Sequence, residues 1–152
     1  MPPRTVIKGL EEIRLFAQNL RRYLSDNKKT LQVISLSGNL GAGKTTLVQQ
    51  LARELGIQET VTSPTFTIMK SYLVPGPHQF QRLIHIDAYR IESLEELRPL
   101  GLENLLLAKG NLICIEWAER IAPVLPKDSI YLTLKTINED TREAVFGLEP
   151  VV

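Results

Sequence analysis

Apolar positions along this chain switch between two periods, and the switches mark out its elements. Leu10, Ile13, Phe16, Leu20 and Leu24 recur at helical spacing through 10–26, with Glu11 and Glu12 in the first turn. That pattern predicts an amphipathic helix lying against a sheet. Leu31-Gln32-Val33-Ile34-Ser35-Leu36-Ser37 is instead an apolar, β-branched run, the pattern of a buried strand. Helical spacing returns at Leu47, Leu51 and Leu55 within 45–55, and Gly56 supplies the stop. A polar loop over 59–64 precedes the run from Thr65 to Tyr72, which predicts a strand. Two prolines and a glycine in 74–78 force a loop tip. The segments 82–87 and 111–116 are near-continuous apolar strands, and each ends on a carboxylate, Asp87 and Glu116. Between them lie short helical pieces at 94–97 and 102–107, separated by Pro99 and Gly101. From Ser129 to Lys135 the pattern alternates at period two, and 142–148 follows after the turn Asn138-Glu139-Asp140-Thr141. The pair predicts an antiparallel hairpin.

Apolar runs that do not alternate belong to strands covered on both faces. The expected fold class is therefore α/β, with a mostly parallel central sheet extended by antiparallel strands that include the C-terminal hairpin. A length of 152 residues suits one domain over 1–152, with enough core to need no staple. The content, 43% hydrophobic and 23% charged, is that of an ordinary globular protein. A formal net charge of +1 argues against a broad electrostatic footprint for nucleic acid. Arg21, Arg22, Lys28 and Lys29 are the only local positive concentration, and a solvated helix end explains them as well as a phosphate would. The single cysteine, Cys114, sits in an apolar run and reads as core rather than as a nucleophile. No signal peptide and no apolar run of membrane length stand out, so a cytoplasmic location without membrane contact is expected. There is no internal repeat and no low-complexity segment.

The chemistry concentrates in Gly38-Asn39-Leu40-Gly41-Ala42-Gly43-Lys44-Thr45, a glycine, any four residues, then Gly-Lys-Thr. Glycines let successive backbone N–H groups approach a polyphosphate with no Cβ in the way. Lys44 brings a mobile positive charge to the outer phosphates, and the Thr45 hydroxyl can ligate magnesium. Strand, loop and helix in that order complete the pattern of a P-loop NTPase-type three-layer fold, in which the helix N-terminus adds its own positive end. Asn39, Leu40, Gly41, Ala42, Gly43, Lys44, Thr45 and Thr46 are the expected nucleotide contacts. A triphosphate with magnesium also needs a carboxylate at a neighbouring strand end, and Asp87 and Glu116 both qualify. Spacing leaves open which of them touches the ion. The Ser/Thr-rich loop 62–67 is a weak candidate for a γ-phosphate sensor. His85 alternates with Ile84 and Ile86 and reads either as a sheet histidine or as a site residue; Arg90 and Trp117 stay equally open. No guanine-selecting Asn/Thr-Lys-x-Asp motif occurs, so the expected cofactors are ATP and Mg2+. No arginine-rich lid follows Glu116, as a small-molecule kinase would want, and no glutamine stands ready to position water. Such a site is expected to turn over slowly alone and to need a partner.

Four motifs stand in order along the chain: Gly38 to Thr46, Ser63-Pro64-Thr65-Phe66-Thr67, His85-Ile86-Asp87-Ala88-Tyr89-Arg90, and Ile115-Glu116-Trp117-Ala118-Glu119. Together they resemble the TsaE (YjeE) family, small bacterial ATPases required for threonylcarbamoyladenosine formation in tRNA. The resemblance spans nearly the whole domain. Asn39 departs from it, since aspartate is common there, and the loop 74–81 is peculiar to this chain. The resemblance implies an ATPase that docks onto the TsaD–TsaB pair, with tRNA touched only indirectly or weakly and with room for self-association. TsaD transfers the threonylcarbamoyl group to an adenosine beside the anticodon, and the ATPase resets that machinery between cycles. Carried over, Lys44, Asp87 and Glu116 are the catalytic residues. Lys44 holds the phosphates, Thr45 and Glu116 ligate magnesium, and Asp87 orients water or the metal's waters. The stretch from Ser63 to Thr67 acts as a switch-like loop, while His85, Tyr89, Arg90 and Trp117 complete the site or its partner-facing edge.

Overall fold

Four strands that run the same way form the centre of the molecule, and their shared carboxyl edge is where the chemistry collects. The computed structural model describes residues 1–150. In chain order the elements are β1 (Arg4–Lys8), α1 (Gly9–Asn27), β2 (Leu31–Ser37), α2 (Lys44–Glu54), β3 (Met69–Leu73), β4 (Arg82–Asp87), α3 (Leu102–Leu105), β5 (Asn111–Glu116), β6 (Ile130–Thr136) and β7 (Thr141–Gly147). Two 3-10 segments, Leu94–Leu100 and Ala118–Val124, sit between them. The sheet has seven strands in the order β1-β7-β6-β2-β5-β4-β3. The β6–β2, β2–β5 and β5–β4 pairs are parallel, whereas β3, β7 and β1 join antiparallel at the flanks. The expected architecture is thus the observed one, C-terminal hairpin included.

The unbroken apolar runs explain the layering. One face carries Ile34, Leu36, Leu83 and Leu112 against Leu20 and Leu24 of α1 and Leu47 and Leu51 of α2. The other carries Val33, Ile84, Ile86, Ile113 and Ile115 against Ile91 of the loop after β4 and Leu97, Leu102 and Ile121 of the 3-10 and short helical segments. No helix among the described residues is long and apolar enough to cross a membrane.

Four local differences from the sequence expectation have physical causes. β1 went unpredicted because only Ile7 of its five residues is buried; the strand exists through its ladder to β7. The strand expected from Thr65 starts only at Met69, since residues before it are diverted towards the site and Ile68 takes a left-handed φ of 67°. The short helical piece expected at 94–97 is a 3-10 segment that runs on to Leu100, with Pro99 inside it and a Ser93–Glu96 capping box at its start. A second 3-10 segment follows Trp117, whose own φ of 56° breaks the chain away from β5.

In-register pairing sets the site. Leu36 of β2 pairs with Glu116 of β5, and Glu116 pairs with Asp87 of β4. Both carboxylates therefore stand side by side at the carboxyl edge of the sheet, next to the loop that leaves β2, the position where open α/β sheets bind ligands.

Candidate functional site

The glycine-rich loop turns tightly between β2 and α2. Gly38 passes so close to β6 that a Cβ there would collide with the Leu134 carbonyl oxygen. Gly43 enters α2 with a φ of 102°, a region that favours glycine. The first helical hydrogen bond runs from Leu47 N to Gly43 O at 2.9 Å, so the amides of Lys44, Thr45 and Thr46 have no partner within the helix. Those amides, with the helix dipole behind them, are an anion site in waiting.

Lys44 is buried, and its ammonium donates to the main-chain oxygens of Gly38 and Asn39, the latter at 3.2 Å. It also lies 4.1 Å from the centre of the Trp117 ring, a cation–π contact. Burial pushes the Lys44 pKa down, and Glu116, Glu119 and Asp87 partly restore it. The charge is therefore held in reserve by partners that a phosphate can replace.

Glu116 is the hub of the carboxylate side and is only 3% exposed. Both of its oxygens lie 2.9 Å from the Thr45 hydroxyl, which can donate to one at a time. Its Oε2 is also 2.6 Å from Nε2 of His85, which is fully buried behind it. The other ring nitrogen, Nδ1, is the one buried side-chain polar atom among the described residues with no hydrogen-bond partner. Asp87 accepts from the Thr65 hydroxyl at 2.9 Å and from the Tyr89 amide at 2.9 Å, and Thr65 is 2.7 Å from the Ser63 hydroxyl. A chain of oxygens thus runs from the Ser63–Thr67 loop to β4.

Lys44, Thr45, Ser63, Thr65, Asp87, Glu116 and Trp117 line one cleft of about 280 Å³, together with Leu40, Gly41, Ala42, Gly43, Thr46 and Tyr89. Of the residues singled out in the sequence, Lys44, Thr45, Thr46, Asp87 and Glu116 converge there, joined by Ser63, Thr65, Tyr89 and Trp117. Asn39 does not line the cleft; it contributes its carbonyl, which accepts from Lys44 and from the Ala42 amide at 3.0 Å. Arg90 stands outside, its guanidinium 4.5 Å above the ring of Phe66. His85 reaches the cleft only through Glu116. Cys114 is buried with its thiol pKa pushed up to about 12 by burial, which removes it as a nucleophile. One residue had no signal in the sequence: Arg142 of β7, whose guanidinium touches the loop itself.

The donor set suits magnesium. Among the described residues no cluster of three or more His, Cys, Asp and Glu side chains forms a cage. Magnesium needs none, since it keeps several waters and takes one or two carboxylates plus phosphate oxygens. Thr45 and Glu116, already in contact at the foot of the loop, match that requirement, and Asp87 is held by Thr65 rather than by Thr45.

Comparison with known proteins agrees with the geometry. The family model described as "Threonylcarbamoyl adenosine biosynthesis protein TsaE" matches residues 7–144. A tRNA threonylcarbamoyladenosine biosynthesis protein TsaE from Treponema pallidum is 40% identical over 111 residues, 73% of this chain and 78% of that protein. The protein of the same name from Rickettsia bellii is 34% identical over 139 residues, covering 91% of this chain and 90% of the relative. The crystal structure of YdiB from Bacillus subtilis superposes with a TM-score of 0.73 at 31% identity, over 94% of this chain and 82% of that one. With loop, carboxylates and switch-like segment in the predicted order, the chain belongs to the TsaE family of threonylcarbamoyladenosine biosynthesis proteins.

Proposed function

We propose that this protein is an ATPase that binds ATP with magnesium in the cleft and hydrolyses it in support of threonylcarbamoyladenosine modification of tRNA, acting on the TsaD–TsaB pair in the cytoplasm. The observation that carries the reading is the contact of the Thr45 hydroxyl with both Glu116 oxygens at 2.9 Å, at the foot of a loop that leads into the Lys44, Thr45 and Thr46 amides, which have no partner within α2. The relatives, named for tRNA threonylcarbamoyladenosine biosynthesis, support the pathway.

The residues divide the work by position. The amides of Lys44, Thr45 and Thr46 receive the β- and γ-phosphates, and Lys44 exchanges its two carbonyl partners for phosphate oxygens. Thr45 and Glu116 would hold magnesium, which neutralises charge on the outer phosphates as it develops. Asp87, fixed by Thr65 and the Tyr89 amide, has lone pairs left to orient the attacking water. His85 keeps Glu116 turned towards Thr45. Groups that follow transition-state charge are scarce: no arginine lines the cleft, and Arg90 is stacked on Phe66 at its rim. Slow turnover alone is the consequence.

A partner is the natural source of the missing help. Leu40 and Phe66, at 79% and 84% exposure, flank the cleft with apolar surface that a docking protein would cover. The test is ATP turnover by the purified protein with and without TsaD–TsaB, alongside Lys44→Ala. Stimulation by the pair and loss of turnover in the variant are expected. Absence of both stimulation and co-elution with the pair would overturn the proposed role.

A further inference from the structure

The last hairpin does more than widen the sheet, because one of its side chains is committed wholly to main-chain oxygens. Arg142 makes no ion pair among the described residues. Instead its Nη1 donates to the carbonyls of Asn138 at 2.8 Å and Glu139 at 3.4 Å in the β6–β7 turn and of Thr141 at 3.1 Å at the start of β7. Its Nε donates to the Ala42 carbonyl at 3.2 Å and its Nη2 to the Gly41 carbonyl at 3.3 Å. A guanidinium is a rigid planar fork, so it holds these two groups of oxygens at a set separation. The turn is anchored in its own right, since the Asp140 carbonyl accepts from the Gly9 amide at 2.8 Å at the start of α1.

A trans peptide is planar, and its C=O and N–H point in opposite directions. Holding the Gly41 oxygen towards the hairpin therefore turns the Ala42 amide the other way, where it is seen donating to Asn39 O at 3.0 Å. Holding the Ala42 oxygen likewise turns the Gly43 amide away from the hairpin, and Gly43 is one of the residues that line the cleft. The restraint matters at this place in the chain. Gly41 and Gly43 take φ values of 80° and 102° and have no Cβ to limit rotation of the peptides beside them.

We propose that Arg142 is a positioning residue for phosphate binding: it fixes the two peptide planes before Lys44 so that the Gly43 amide joins those of Lys44, Thr45 and Thr46. The proposal rests on the reading of the loop as a nucleotide site. No lysine can replace the fork, because a single ammonium cannot span the turn and both loop carbonyls.

The experiment uses the intact protein and its single tryptophan, Trp117, whose ring touches Lys44 and so reports on the loop. ADP is titrated by fluorescence into wild type, Arg142→Gln, Arg142→Lys and Lys44→Ala, and inorganic pyrophosphate is then competed against it. Each is run well below the melting temperature measured by circular dichroism. Arg142→Gln is expected to weaken ADP and pyrophosphate on the order of tenfold or more, the usual consequence of misplacing one donor to a charged group. Arg142→Lys should be intermediate and supplies the reading if the glutamine variant does not fold. A purely structural role would lower the melting temperature and leave both affinities of the folded protein intact, and that result overturns the proposal. Should Lys44→Ala bind ADP as tightly as wild type, the nucleotide reading itself falls and takes this inference with it. Weakened Lys44→Ala beside unweakened Arg142 variants overturns the inference alone.

Discussion

Replacing Glu116 by glutamine separates the charge of this side chain from its shape. The amide oxygen of Gln can still accept from the Thr45 hydroxyl, and the site stays filled, so the fold should be little disturbed. What disappears is one negative charge that is 3% exposed and faces the foot of the phosphate loop. A unit charge 4 Å from a second is worth about 4 kcal/mol at an effective dielectric of 20. Part of that is offset by the cost of keeping a carboxylate dry, which leaves a net of about 2 kcal/mol. Two kcal/mol is about thirtyfold in affinity, so the magnesium concentration that half-saturates ATP turnover should rise by roughly that factor. Turnover is followed by phosphate release across a magnesium titration at fixed ATP. ADP binding in excess chelator, read from Trp117 fluorescence, should be unweakened or tighter, because a carboxylate beside phosphates repels them. Glu116→Ala behaves differently: it orphans Thr45 Oγ1 and His85 Nε2, at about 1–3 kcal/mol per buried group. For a domain of this size that lowers Tm by about 2–4 °C per kcal/mol. A magnesium curve for Glu116→Gln that overlays the wild-type curve would refute the assignment of Glu116 to the ion.

Three further outcomes test other parts of the account. Thr65→Val removes the hydroxyl that holds Asp87 at 2.9 Å, and turnover should fall about tenfold with the ADP affinity unchanged; equal loss of both would place Thr65 in binding instead. Cys114, with a thiol raised from 9.0 to about 12, stabilises the fold fully below pH 9 and loses that contribution as pH climbs towards 12. Wild-type stability should therefore fall by up to about 1.4 kcal/mol per unit more steeply than that of Cys114→Ala above pH 9. Parallel denaturation curves for the two proteins would contradict this. Phe80 is 1% exposed in the core beneath the α1–α2 face, and Phe80→Ala should cost about 3–5 kcal/mol in a urea melt while nucleotide affinity in the cold persists.

Legibility from sequence followed how local each cause was. The phosphate loop, β2, α2 and the two carboxylate-terminated strands were readable because glycine spacing and apolar runs are properties of adjacent residues. β1 was not, because a single buried residue, Ile7, cannot establish a period. The start of β3 was displaced because Thr65 answers to Asp87, 22 positions later, and not to the strand that follows it. His85 looked equally suited to core or site, and it proves to be both: buried in the sheet, yet bonded to Glu116 across 31 positions. Arg142 gave no sign at all, since its partners Ala42 and Gly41 lie 100 and 101 residues away. Residues proposed to carry the chemistry stood out through local pattern, and residues that contact them from distant parts of the chain did not.

The partnering of charges within the cleft explains why a site so well stocked for binding would be sparing in turnover. Lys44 rests on its own loop carbonyls and on Trp117, Glu116 on Thr45 and His85, and Asp87 on Thr65 and the Tyr89 amide. On the proposed function, capturing a nucleotide would exchange internal bonds for external ones, and the net gain would be smaller than the number of new contacts suggests. Two of those internal bonds are not equally protected. Glu116 is pinned from behind by a fully buried ring, whereas Asp87 is pinned by Thr65, in a loop that also presents the exposed Phe66 ring with Arg90 stacked on it. Pressure from a partner on Phe66 would reach Asp87 through one hydroxyl and leave Glu116 undisturbed. On that geometry a docking protein would act on water activation rather than on metal binding, and stimulation should appear in kcat while the magnesium requirement stays where it was.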